Sequence, residues 1–106
     1  MEDLQKSIYI NQLYNTYGNL LSATQKKMID LYYGLDLSLS EIAEQENISR
    51  NAVYDAIKKG IDCLNNYENK LHLVEQRKEF EKKLLLLKNE LDEASYKLVV
   101  EYFKED

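Results

Sequence analysis

Apolar residues recur along this chain with a helical period, and capping or turn residues cut the series into segments. In residues 4 to 17, Ile10, Leu13, Tyr14 and Tyr17 fall at offsets of zero, three, four and seven, which predicts an amphipathic helix ended by Gly18 and Asn19. Ser22 with Gln25 forms a capping box, and Met28, Ile29, Tyr32 and Tyr33 are the stripe of a second helix over 23 to 33 that stops at Gly34. Ser38 with Glu41 is another capping box. It opens a short third helix with Leu39, Ile42 and Ala43 on its apolar side, ending around Glu46. Ser49 caps a fourth helix whose inward residues are Val53, Ile57, Ile61 and Leu64, and nothing breaks it before Asn65 and Asn66, so it runs on to about Lys70. The phase then changes. Phe80, Leu84, Leu87, Leu91, Ala94 and Leu98 follow alternating steps of four and three, the seam of a helix packed along another helix. A bend or break between about 68 and 74 therefore precedes a fifth helix, which reaches about Asn89. A last helix over 90 to 106 carries Leu98, Val99, Tyr102 and Phe103 on its apolar side.

One stretch, 38 to 59, dictates a kind of partner as well as a shape. SLSEIAEQENISRNAVYDAIKK reads as a helix-turn-helix: Asn47 tolerates the left-handed turn, Ile48 plugs the angle between the helices, and the small Ala43 lets them cross closely. The exposed side of the second helix begins Arg50, Asn51 and Tyr54, with Asp55, Lys58 and Lys59 behind, which is the chemistry that reads base edges and phosphates. Asn51 can pair bidentately with adenine and Arg50 with guanine, while Ser49 and Lys59 lie near phosphates. Ser49, Arg50, Asn51, Tyr54, Lys58 and Lys59 are thus the candidate nucleic-acid-binding residues. The same two-helix geometry also serves as plain scaffold in helical bundles. Charge weighs on that side, since the stretch holds three cations (Arg50, Lys58, Lys59) against four anions (Glu41, Glu44, Glu46, Asp55), the latter mainly on the first helix.

Composition narrows the fold to all-α. There is no proline, there are three glycines, and Leu, Glu and Lys are abundant. The expected architecture is a helix-turn-helix domain over 1 to 70 followed by C-terminal helices over 71 to 106. A net charge of −5 repels bulk nucleic acid, so any binding must be local, specific or assisted by a partner. The lone Cys63 excludes an intramolecular disulfide and a cysteine-cluster metal site, and the lone His72 excludes a multi-histidine one. Without a phosphate-cradling glycine loop or a paired acid and base, the chain reads as a non-enzyme that calls for no cofactor. Its longest apolar run, 84 to 87, is too short to span a membrane and its acidic start is no signal peptide, so a cytoplasmic protein without membrane insertion is expected. Tyr9, Tyr14, Tyr17, Tyr32 and Tyr33 have the form of a base-stacking platform, but at helical spacing beside Leu and Ile they read as core.

The C-terminal half divides by charge. Residues 77 to 88 carry five cations and two anions, whereas 89 to 106 carry six anions and two cations. Such blocks are the pattern of solvated faces with helix-internal pairs, and the basic one is an alternative phosphate or partner contact. The leucines here exceed what a small domain covers, so Phe80, Leu84, Leu87, Leu91 and Leu98 are expected to mediate self-association, in the commonest case as a homodimer.

Gln25, IDLYYG (29 to 34), LSLSEIAE (37 to 44), ISRNAVYDAIKK (48 to 59) and YENKLHL (67 to 73) together resemble the YlxM family of small bacterial helix-turn-helix proteins, over about residues 8 to 75. The motif is also similar to region four of bacterial sigma factors, within the winged-helix-like superfamily. The resemblance implies a cytosolic, dimeric, all-helical protein that is an accessory or regulator of the signal recognition particle pathway, because the family's gene tends to adjoin that of the particle's GTPase. Two positions depart from the family pattern: Glu46 stands where a buried aromatic or aliphatic residue is usual, and Asn47 where glycine is frequent. A looser, more acidic turn is expected from them. DNA, structured RNA and protein all stay open as the ligand.

Overall fold

The computed structural model describes residues 4–88 and 90–103, and among these there is no strand. Among the described residues six α-helices follow one another: α1 (Leu4–Tyr17), α2 (Ala23–Ile29), α3 (Leu39–Glu46), α4 (Arg50–Leu71), α5 (Leu73–Leu87) and α6 (Glu93–Phe103). The chain divides into two compact units, one up to Val74 and one from Glu75.

The starts of α2, α3 and α4 are set by hydrogen-bonded side chains. Ser22 Oγ accepts from the Gln25 amide at 3.1 Å while Gln25 Oε1 accepts from the Ser22 amide at 3.2 Å, and Ser38 and Glu41 repeat the exchange at 3.0 and 2.9 Å. Ser49 Oγ accepts from the Ala52 amide at 3.0 Å. The predicted second helix is not uniform. After Ile29 it widens into a π-helical turn, Asp30–Gly34, closed by the Leu35 amide donating to the Asp30 carbonyl at 3.0 Å.

The core has two parts that meet along α2 and α4. Ile10, Leu13, Tyr17, Leu21, Ile29, Leu64 and Val74 form one; Met28, Leu31, Ile42, Val53 and Ile57 form the other, with Tyr33 and Ile61 packed against both. Tyr17 is buried and stacks on Tyr67 with centroids 5.8 Å apart, and Tyr14, Tyr32 and Tyr33 are half-buried, so these four are core as their spacing indicated, whereas Tyr9 is exposed and does not join them. Ala43 packs against the second part from a half-buried position. Ile48 does not plug the angle between the motif helices: it is 39% exposed, and Val53 and Ile42, both fully enclosed, fill that space instead. A close approach that the local pattern does not reveal lies at Gly60 in α4, where a Cβ would stand 2.7 Å from Ile29 Cδ1 and 3.4 Å from Gln25 Cβ.

The break between α4 and α5 falls at His72, which takes a left-handed conformation with φ 56° and ψ 28°. It is held from a distance. Tyr17 Oη donates to Glu68 Oε1 at 2.7 Å and accepts from the Leu73 amide at 3.1 Å, and Glu68 Oε1 also accepts from the Val74 amide at 3.0 Å. The first amides of α5, which no turn of helix can satisfy, are thus capped by a side chain of α1 and a buried carboxylate of α4.

In the second unit, Asp92 begins α6: its Oδ1 accepts from the Ser95 amide at 2.7 Å, which holds the carboxyl below the ordinary aspartate range. The spacing places the start of this helix at 90, ahead of the observed Glu93; the expected end of the fifth helix at Asn89, that of the last helix at Asp106, and the side chain of Phe103 lie outside the described residues. The leucine seam is not one continuous face. Leu84 is buried and Phe80 and Leu91 are half-buried, whereas Leu87 and Leu98 are exposed. The outward apolar side chains of this unit include Leu85 and Leu86 as well, with Leu86 79% and Tyr102 82% exposed. No helix among the described residues is long and apolar enough to cross a membrane.

Candidate nucleic-acid interface

The turn between α3 and α4 fixes how the candidate face is presented. Asn47 sits at φ 56° and ψ 46°, its amide reaches back to the last turn of α3, and the Ile48 amide donates to the Ala43 carbonyl at 3.1 Å. This is a closed Schellman turn, so the looser turn expected from Glu46 and Asn47 is not what forms. Asparagine enters the left-handed region with less strain than most residues because a short polar side chain is able to hydrogen-bond locally. Glu46 is drawn across to α2 instead of being left in solvent: Lys27 Nζ lies 2.6 Å from its Oε1, and Gln45 Nε2 donates to its Oε2 at 3.2 Å.

These contacts predict an acid response. The Lys27 ammonium holds the Glu46 carboxyl below the usual glutamate range, and the Ser38 amide does the same for Glu41. A carboxyl whose folded pKa is depressed adds stability in full above its unfolded pKa, about 4.3, and loses it as pH falls through the lower folded value. Melting temperature should therefore be flat from neutral pH to about 5.5 and fall below about 4.5. In Glu46→Gln that acid slope should be shallower; an identical slope would remove Glu46 from the explanation.

Ser49, Arg50, Asn51, Tyr54, Lys58 and Lys59 are all exposed and fall on the start of one 22-residue helix. A four-residue repeat arranges the face in two adjacent rows, Arg50–Tyr54–Lys58–Asp62 and Asn51–Asp55–Lys59. Tyr54 is 55% exposed, so its ring lies free of the core. Among the described residues Arg50, Asn51 and Tyr54 have no side-chain hydrogen bond or ion pair, whereas Lys59 Nζ stands 2.9 Å from Asp55 Oδ2 and Lys58 Nζ 3.6 Å from Asp62 Oδ2. Ser49 already uses its oxygen as the helix cap, which leaves its hydroxyl proton for an acceptor such as a phosphate. Of the four anions counted against binding, Glu41 is spent in a cap, Glu46 on Lys27 and Asp55 on Lys59, which leaves Glu44 outward. Asp62 was missed because it lies beyond the motif. The signal was its position four residues after Lys58.

Comparison with known proteins agrees with the helix-turn-helix fold. Residues 4–101 match the model of the UPF0122 family, described as "Putative helix-turn-helix protein, YlxM / p13 like". A UPF0122 protein of Desulforamulus reducens is 49% identical over 83 residues, covering 78% of this chain and 71% of that one. Others from Clostridium acetobutylicum and Fusobacterium nucleatum are 37% and 38% identical, covering 97% and 92% of this chain and 95% of each relative.

Proposed function

Because the chain belongs to the YlxM/p13-like helix-turn-helix family, we propose that it is a non-enzymatic regulatory protein that binds nucleic acid through the start of α4. The observation that carries this reading is the unpartnered, outward trio Arg50, Asn51 and Tyr54 at the N-terminal end of a helix presented by a closed turn. Recognition helices place these residue types there to reach base edges, with backbone amides and lysines on phosphates. Within the proposal, the link to the signal recognition particle pathway, implied by resemblance, makes the particle's RNA and its GTPase the first ligands to test beside duplex DNA.

Arg50→Ala should weaken binding to a preferred site by a factor corresponding to roughly 1 to 3 kcal/mol, with less loss on unrelated sequence. Lys58→Ala should weaken binding evenly and lower the salt slope by about one. Titration of labelled DNA and RNA against both variants measures this. If neither changes affinity, the site is elsewhere, and charge reversal at the exposed Lys82 and Lys83 of α5 tests the basic stretch instead.

A second reading is favoured by the apolar surface of the C-terminal unit, where Leu85, Leu86, Leu87, Leu98 and Tyr102 are exposed. In it the same fold is a protein-interaction module, with a second copy as the simplest cover. Each such side chain left wet forfeits roughly 1.5 to 3 kcal/mol, so self-association through this unit is the expected state. Sedimentation at micromolar concentration should find a dimer that Leu86→Glu with Leu98→Glu converts to monomer. A monomeric wild-type chain removes the self-association proposal, and a ligand retained after nuclease treatment of native extracts favours the interaction module.

A further inference from the structure

Each lysine of the α4 face is matched by an acid one turn away on the same face, at 2.9 Å for Asp55 with Lys59 and 3.6 Å for Asp62 with Lys58. Arg50, Asn51 and Tyr54, nearer the helix start, have no such partner among the described residues. We propose that Asp55, seconded by Asp62, is a specificity-determining residue. It is a built-in counter-ion that withholds Lys59 from non-specific phosphate, so that the face binds firmly only where Arg50 and Asn51 are seated on their bases. The inference rests on the nucleic-acid reading above.

Non-specific affinity arises when lysines and arginines neutralise phosphates and release the ions condensed on the duplex. A lysine whose counter-ion belongs to its own helix gains less from that exchange. The carboxylate also opposes the approach, because bringing it to the duplex sets like charges together. Asp55 is placed to do both. It follows Asn51 by one turn in the same row, so any pose that puts Asn51 in a groove carries Asp55 against the nucleic acid as well. The restraint is nevertheless easy to release, since both side chains of each pair are more than half exposed and such pairs are weak. The two pairs are not equal. Asp55 precedes Lys59, the orientation that the helix dipole favours, whereas Lys58 precedes Asp62, which is the poorer order and matches the longer distance.

The test uses the full chain with Asp55→Asn, Asp62→Asn and the control Glu93→Gln, which removes a carboxylate paired with Lys97 at 3.7 Å on α6 and changes net charge equally. Binding to random-sequence duplex DNA and to heparin, a polyanion without bases, is followed across a salt series. Asp55→Asn should bind both several-fold more tightly than wild type at low salt, with a salt slope steeper by about one. Asp62→Asn should do so less, and Glu93→Gln should leave the slope unchanged. An Asp55→Asn slope equal to that of Glu93→Gln overturns the proposal, as does failure of Asp55→Asn to bind either polyanion. Arg50→Ala separates this from the reading beneath it. If Arg50→Ala leaves site binding intact while Asp55→Asn steepens the heparin slope, the base-reading assignment fails and the counter-ion role stands; the reverse pattern removes the counter-ion role alone.

Discussion

Valine in place of Gly60 should cost the N-terminal unit a large share of its stability, while alanine there should come close to neutral. A Cβ at this position meets Ile29 Cδ1 at 2.7 Å and Gln25 Cβ at 3.4 Å, and Ile29 is 1% exposed with core on every side. With alanine, a single methyl can be met by a small rotation of the Ile29 terminus, and the cost is offset by the roughly 1 kcal/mol that alanine gains over glycine in a helix interior. Valine adds two branches where α2 and α4 cross. No rotation of one methyl clears them, so the helices must separate along a contact that both parts of the core share. Overpacking of this kind costs about 1 to 3 kcal/mol and more where backbone must shift, against a total stability of roughly 5 to 15 kcal/mol for a domain. Urea denaturation of the full chain, read by helical circular dichroism, should place the Gly60→Val midpoint far below those of wild type and Gly60→Ala. Equal midpoints for valine and wild type would mean that the crossing is wider than 2.7 Å implies.

Gly60 also marks a limit of the sequence reading. Its consequence depends on a residue 31 positions earlier in the chain, and no local period contains that pairing. Where a local rule was sufficient, the structure follows it closely. The α1 bounds, both capping boxes, the Ser49 cap and the left-handed Asn47 all depend on residues within one turn of each other, and they form as the spacing predicts. The π-helical turn at Asp30–Gly34 escaped because hydropathy over five residues does not separate one helical period from a slightly wider one. Ile48 was misplaced for a different reason: an apolar residue just past a Schellman turn packs on the end of its own helix as readily as it fills a joint.

The candidate face was legible as a set of side chains, because helical spacing alone gathers them. Its electrostatics were only half legible. By count alone Asp55 and Glu46 are equal deterrents, yet one is paired on the candidate face and the other is turned toward α2. In the C-terminal unit the seam of fours and threes correctly gave helices. It did not say which leucines would be covered, since Leu84 and Leu87 share the seam and differ in exposure.

Glu68 is the residue whose loss should be felt furthest from its place in the chain. It continues the inward row of α4 after Leu64, so a polar residue there signals a buried network, and it is in fact 7% exposed. Its Oε1 accepts both the Tyr17 hydroxyl at 2.7 Å and the Val74 amide at 3.0 Å. Glu68→Ala would leave that hydroxyl and amide without an acceptor and open a space beside the Tyr17 ring. Each unsatisfied buried group costs about 1 to 3 kcal/mol, so a total of roughly 2 to 4 kcal/mol is expected. Glu68→Gln keeps an oxygen in place and should cost much less. Tyr17→Phe removes the donor to Glu68 and the acceptor for the Leu73 amide, and because the two side chains act through one bond, Tyr17→Phe with Glu68→Ala should cost less than the separate losses combined. Local readouts separate this cap from general destabilisation. Amide exchange at Leu73 and Val74 should quicken in Glu68→Ala before exchange in the middle of α4 does, because those amides head α5. In wild type, burial and the Glu68 hydrogen bond hold the Tyr17 phenol above the ordinary tyrosine range, and removing the carboxylate should bring its ionisation to lower pH. Additive losses, with exchange at Leu73 and Val74 unchanged, would show that Tyr17 and Glu68 merely fill space and that the break at His72 is held by something else.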